Sequence, residues 1–179
     1  MRKNIVLTLT GTDRIGIVDS VTEVLVKYDG NVETSRMARL GGEFAMLMLI
    51  SIPEEQLEHF DKNVVNSLRA QGFQVATTPT GQSHEQKYAG WLPYQIEVHG
   101  ADHEGIVHQV AHYLTEHGIN IESMDTGIVP APMSGTLFFS MSAVVLVPPN
   151  LPNQDWQADL DDVADHLNVE IKVSADKGK

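Results

Sequence analysis

The stretch Gly11-Thr12-Asp13-Arg14-Ile15-Gly16-Ile17-Val18, GTDRIGIV, leaves an apolar alternation and enters a helical pattern, and from Gly100 the chain reads GADHEGIV. The offset between the two is 100 − 11 = 89, and it runs without a gap as far as Thr34. Gly11, Asp13, Gly16, Ile17, Val18, Val21, Leu25, Asn31 and Glu33 meet Gly100, Asp102, Gly105, Ile106, Val107, Val110, Leu114, Asn120 and Glu122. A shared helical period accounts for the apolar matches alone. It does not supply matching Gly, Asp and Asn outside the helix, so the chain is an internal repeat.

Working outward, each repeat predicts the same order of elements. Ile5, Leu7 and Leu9 alternate as a strand, and Tyr94, Ile96 and Val98 do the same against Gln95, Glu97 and His99. Ile17, Val18, Val21, Val24, Leu25 and Tyr28 then fall at helical spacing, as do Ile106, Val107, Val110, Tyr113 and Leu114. A strand from Val32 to Leu40, a Gly41-Gly42 turn and a strand from Phe44 to Ile52 form a hairpin. Pro53 suits the first position of a second helix, Leu57, Phe60, Val64 and Leu68 mark its buried stripe, and Gly72 ends it. Phe73, Val75 and Thr77 close the first repeat as a strand. The second repeat follows with strands near 119–128 and 136–147, a helix carrying Trp156, Leu160, Val163 and Leu167, and a last strand with Val169, Ile171 and Val173.

This is βαββαβ written twice, an α+β chain. Each copy is expected to fold as a ferredoxin-like unit, a four-stranded antiparallel sheet with two helices on one face. The free face of each sheet, to which Met46 and Met48 or their neighbours Leu47 and Leu49 point, calls for cover by pairing of domains, within or between chains, and a homo-oligomer is the expected partner state. Residues 79–93, PTGQSHEQKYAGWLP, are polar, without apolar period, and carry Gly and Pro. The expected division is a first domain over 1–79, a linker over 80–92 and a second domain over 93–179.

Composition narrows the function. The 12 basic residues stand against 24 acidic ones, a net charge of −12 that opposes binding to nucleic acid, which needs clustered Lys and Arg. No segment approaches the roughly 18 uninterrupted apolar residues of a membrane helix, and no cysteine is present, so a cytoplasmic protein without disulfide or thiolate chemistry is expected. No nucleophile paired with a base, no phosphate loop ending in Lys and a hydroxyl, and no dinucleotide fingerprint stand in the sequence, which speaks against an enzyme and against a cofactor.

A βαββαβ unit whose first strand ends in G-x-D-x-x-G-I/V resembles the ACT domain, a small module that commonly binds amino acids. NVETSRMARLGGEFAMLMLIS (31–51) and HGINIESMDTGIVPAPMSGTLFFSM (117–141) sharpen the likeness, which is to the two halves of tandem-ACT proteins in the glycine cleavage system transcriptional repressor family. The resemblance implies two tandem ACT domains in a regulator that binds a small amino acid, with glycine as the candidate effector, and acts through a partner transcription factor without reading DNA itself. It also implies a ligand at an interface between two domains, contacted by this loop and by residues of the second strand.

Helix geometry gives that loop a physical use, because the first N–H groups of a helix have no partner within it and its dipole favours a carboxylate. The candidate ligand residues are Gly11, Thr12, Asp13, Arg14, Ile15, Gly16, Ile17 and Asn31 in the first repeat, and Gly100, Asp102, Gly105, Ile106 and Asn120 in the second. Asp13 or Asp102 would receive the ligand ammonium, and Asn31 or Asn120 an amide contact in the same pocket. The competing reading makes both aspartates helix N-caps, Gly16 and Gly105 packing residues, and both asparagines turn residues. Many ACT turns read D-x-P-G, but Ile15 and Glu104 hold the Pro position here. Glu104 places an acid beside a carboxylate cradle, so the first loop is expected to outrank the second.

His99, His103, His108, His112 and His117 crowd one stretch, with His108 and His112 at metal-binding spacing. They lie on the polar side of the helical stripe, where a solvated face is the expectation. PAPMSGT (130–136) reads as a rigid surface loop or a contact surface.

Overall fold

A computed structural model describes residues 1–80, 87–130 and 137–176 of the chain, without the side chains of 153–155. Much of the expected linker and nearly all of PAPMSGT therefore lie outside the described residues. The chain separates into two compact units, Met1–His84 and Glu85–Lys179.

The first unit runs β1 (Arg2–Thr12), α1 (Ile17–Lys27), β2 (Asn31–Leu40), β3 (Glu43–Pro53), a single 3-10 turn over Glu54–Gln56, α2 (Leu57–Ala70) and β4 (Gln74–Pro79). The second runs β5 (Leu92–Ala101), α3 (Ile106–Glu116), β6 (Asn120–Pro130), β7 (Leu137–Val147), α4 (Asn153–Leu167) and β8 (Val169–Ala175). The sheets have the orders β2-β3-β1-β4 and β6-β7-β5-β8 with every pairing antiparallel, the ferredoxin-like fold expected from the repeat.

Period two decides which strand face is covered. Ile5, Leu7 and Leu9 of β1 and Met46, Met48, Ile50 and Ile52 of β3 are buried in one cluster with Ile17, Val21 and Leu25 of α1 and Phe60, Val64 and Leu68 of α2. The second unit repeats this with Ile96 and Val98 of β5, Met141, Ala143 and Val145 of β7, Val110 and Leu114 of α3, and Trp156 and Leu160 of α4. Tyr113 of α3 donates a hydrogen bond from its hydroxyl to the Trp156 carbonyl at 2.5 Å, tying the two helices together. Met46 and Met48 thus lie beneath the helices, and Leu47 is the exposed neighbour on the opposite face.

One local expectation holds and two are corrected. Gly41 and Gly42 make the β2–β3 turn with φ +59° and +88°, as a type I′ hairpin requires. Pro53, however, ends β3 in extended backbone, and the 3-10 turn intervenes before α2 begins, so Pro53 is not the helix's first residue. Neither aspartate caps its helix. Gly16 and Gly105 are the N-caps of α1 and α3, at φ +89° and +95°, with no side-chain cap bond, because the chain turns through left-handed backbone after the aspartate.

The edge strands β2 and β6 each carry a bulge at the same place in the repeat. The register shifts between Val32 and Thr34 in β2 and between Ile121 and Ser123 in β6, leaving Glu33 and Glu122 as the extra residues. In the first unit Glu33 accepts hydrogen bonds from Ser51 Oγ at 2.6 Å and from Asn31 Nδ2 at 3.1 Å. Those two donors hold its carboxyl below the usual carboxylate range.

Candidate functional site

The register separates residues that sequence reading had grouped. Asn31 stands opposite Ser51, which also faces Asn4 on β1, whereas Gly11 faces Phe44, seven residues further along β1. At a strand rise of about 3.3 Å per residue the two are roughly 23 Å apart along the sheet. Asn120 has the same relation to Gly100, through Leu146 and Pro93, and its Oδ1 accepts from the Tyr88 hydroxyl at 3.1 Å. Neither asparagine shares a pocket with the loop of its own repeat, because β2 and β6 run in the same direction as β1 and β5 and so begin at the far end. What β2 and β6 bring beside the loop is their later part, Met37 to Arg39 and Thr126 to Ile128.

In the second unit that arrangement leaves an open groove of about 700 Å³ between the start of α3 and β6. Its polar edge is Asp102, His103, His108 and Thr126, and its apolar lining comes from Ile106, Val107, Ala111, Ile128 and Phe139. Gly105 opens α3 there, and the first intrahelical bond, from Gln109 N–H to the Gly105 carbonyl at 2.9 Å, leaves the amides of Ile106, Val107 and His108 without carbonyl partners inside the helix. Glu104 is exposed and does not line the groove, so the repulsion expected of it is not built in.

The first loop is engaged with its own unit instead. Arg39, the offset-89 counterpart of Ile128, approaches the Asp13 carboxylate at 3.7 Å. Arg14 lies over the Phe73 ring at 4.4 Å and donates to the Gln71 carbonyl at 3.1 Å. Thr12 donates to Glu43, Ile15 projects into solvent, and Ile17 is buried in the core. Gly11 and Gly100 lend their space to the protein itself. A Cβ on Gly11 would meet Phe73 Cδ1 at 2.8 Å, and one on Gly100 would meet Val169 Cγ1 at 2.7 Å. A Cβ on Gly16 or Gly105 would meet nothing within 4 Å, so those two glycines answer to backbone conformation and not to packing.

Sequence reading missed His103, Val107, His108, Ala111, Thr126, Gly127, Ile128 and Phe139 as groove residues. The signal lay in continuing the offset past the bulge, where Met37 becomes Thr126 and Arg39 becomes Ile128. His108 and His112 are exposed and stacked at 5.9 Å, and among the described residues no group of three or more His, Asp or Glu side chains is placed to hold a metal ion.

A family model described as ACT domain matches residues 3–78. Among solved structures, an unknown protein from Galdieria sulphuraria is 32% identical, with a TM-score of 0.84 over 98% of this chain and 99% of that one. A structure provisionally described as a glycine cleavage system transcriptional repressor has a TM-score of 0.72 over 99% of both chains at 20% identity, a likeness of fold. The glycine cleavage system transcriptional repressor of Escherichia coli (strain K12) is 45% identical over 47 residues. That match takes in 26% of this chain and only a quarter, 25%, of the relative's length.

Proposed function

Because this chain belongs to the ACT domain family, as a tandem of two such units, we propose that it is a non-catalytic regulator whose second unit binds a small amino acid. The single observation carrying this reading is the groove at the start of α3, where the first amides of the helix and the Asp102 carboxylate border one apolar recess. A bound amino acid would direct its carboxylate to the amides of Ile106 and Val107 and its ammonium to Asp102, with the side chain against Ile128 and Phe139. In the first unit Arg39 already occupies the place beside Asp13 that the ammonium takes in the second. The reading therefore assigns one ligand to each chain.

Regulation follows if the bound and free forms present different surfaces to a protein partner, and the similarity to a transcriptional repressor supports a transcription factor in that role. The ligand must favour one form, since equal affinity shifts nothing. The net charge of −12 supports action through a protein and not through direct DNA contact.

Titration calorimetry with glycine, serine, alanine and valine tests the assignment. Saturable heat at one ligand per chain, lost in a folded Asp102→Asn variant and kept in Asp13→Asn, supports it. The alternative is a ligand-free scaffold acting through protein contacts alone, favoured by the internally satisfied first loop. Absence of heat from every amino acid at millimolar concentration would replace the first reading with the second.

A further inference from the structure

His103 holds two backbone carbonyls at once. Its Nε2 lies 2.7 Å from the Leu167 oxygen at the end of α4, and its Nδ1 lies 3.0 Å from the oxygen of Glu104. A carbonyl oxygen only accepts, so each contact requires an N–H on the ring, and a neutral imidazole carries one. The imidazolium alone completes both bonds.

The first unit makes the same fastening with a different residue. Position 14 is the offset-89 counterpart of position 103, and Arg14 donates to the Gln71 carbonyl at the end of α2. The close approaches of Gly11 to Phe73 and Gly100 to Val169 set the offset at this end of the sheet to 169 − 73 = 96. Gln71 shifted by 96 is Leu167, so the two side chains grip the same carbonyl of the repeat. Arginine stays charged at every pH a protein meets, and histidine does not.

We infer that His103 is a proton-dependent latch that fastens the loop Asp102–Gly105 to the end of α4 and thereby holds the groove's polar edge in place, with Arg14 as its permanently charged counterpart. Its setting favours the charged form. The Leu167 and Glu104 carbonyls raise the imidazole's pKa above its ordinary value, burial opposes them, and the Asp102 carboxylate adds to the rise. On α4, Asp165 and His166 precede Leu167, and the helix's carbonyl end favours a cation. The Glu104 side chain is exposed, and Glu170 on β8 is paired with Lys172 at 2.9 Å. Because the folded pKa is raised, the latch is complete below the ordinary histidine pKa of about 6.5 and opens as pH rises through the folded value above it.

The latch stands on the free protein, while its effect on affinity rests on the ligand reading above. Histidine resonances of the full chain, assigned by comparison with His103→Arg, are followed by NMR from pH 5 to 9. His103 should titrate above about 6.5, and the amides of residues 102–106 should move with the same midpoint, a movement absent in His103→Arg. A ring that titrates at or below that value, or loop amides that move identically in His103→Arg, overturns the latch. Amino-acid titrations at pH 6 and 8.5 then read the coupling. Wild type should bind about fivefold or more weakly at the higher pH, and His103→Arg equally at both. Equal wild-type affinity at both pH values refutes the coupling. Absence of binding at either pH refutes the ligand reading and leaves the latch to the NMR result.

Discussion

Gly100→Ala and Gly105→Ala, five residues apart, should both destabilise the second unit for reasons that one further substitution separates. At position 100 a Cβ would stand 2.7 Å from Val169 Cγ1 and 3.1 Å from Val169 Cα. Carbon atoms rest at about 3.5–4.0 Å, so rotating the valine relieves the first contact while the second, to backbone, remains. Overpacking of this kind costs about 1–3 kcal/mol. At position 105 the space is open, but φ is +95°, and an L side chain in left-handed backbone costs about 1–2 kcal/mol. Val169→Ala should therefore recover part of the Gly100→Ala loss, with a coupling of about 0.5 kcal/mol or more, and none of the Gly105→Ala loss. Gly105→Asn should lose less than Gly105→Ala, because asparagine tolerates that conformation better. Urea unfolding followed by tryptophan fluorescence is the assay, since both tryptophans of the chain, Trp91 and Trp156, lie in the second unit. Equal rescue of both variants by Val169→Ala, or a Gly105→Ala loss under about 0.5 kcal/mol, would refute the distinction between a packing glycine and a conformational one.

Ile128→Arg copies the first unit's arginine into the second. With residue 128 54% exposed, stability should change by no more than about 0.5 kcal/mol while amino-acid heat disappears, and unchanged binding by calorimetry would remove Asp102 and its groove from the site. Tyr113→Phe breaks the bond to the Trp156 carbonyl and should cost about 0.5–1.5 kcal/mol in denaturant unfolding. Burial, with Asp159 nearby, pushes the Tyr113 hydroxyl up to about 12. Its contribution is thus intact below pH 10 and falls as pH rises from there through 12, so wild type should lose stability more steeply than Tyr113→Phe across that range. Glu33, held low by Ser51 and Asn31, contributes above the ordinary glutamate pKa and loses that contribution as pH falls through its folded value. Acid unfolding of Glu33→Gln should accordingly be shallower below pH 4.5 than that of wild type.

Most of the architecture was legible because it rests on period. Alternation in β1 and β5, the stripes of α1, α2 and α3, and two adjacent glycines where the hairpin turns all act locally, and the matched loops exposed the doubling. The site was less legible because it depends on what the sheet pairs. Asp13 looked like a cap because it precedes a helix, but left-handed Gly16 places the helix start three residues later. Asn31 and Gly11 are matched within one motif, yet parallel travel of β1 and β2 sets them at opposite ends. The bulge compounds this. A period-two count from Val32 sends Arg39 to the face away from the helices, whereas the extra residue at Glu33 returns it to the side of Phe44 and Asp13.

The bulge also gives the two units a common frame. Glu33 and Glu122 sit at one position of the repeat, and each is the residue its strand leaves unpaired. The unpaired residue therefore turns the later part of both strands by the same one-residue step, onto the same face of each sheet. The differences at Met37 against Thr126, Arg39 against Ile128 and Arg14 against His103 stand on a frame the two units share. On one shared frame, the first unit sets an arginine beside its loop aspartate while the second leaves a groove there.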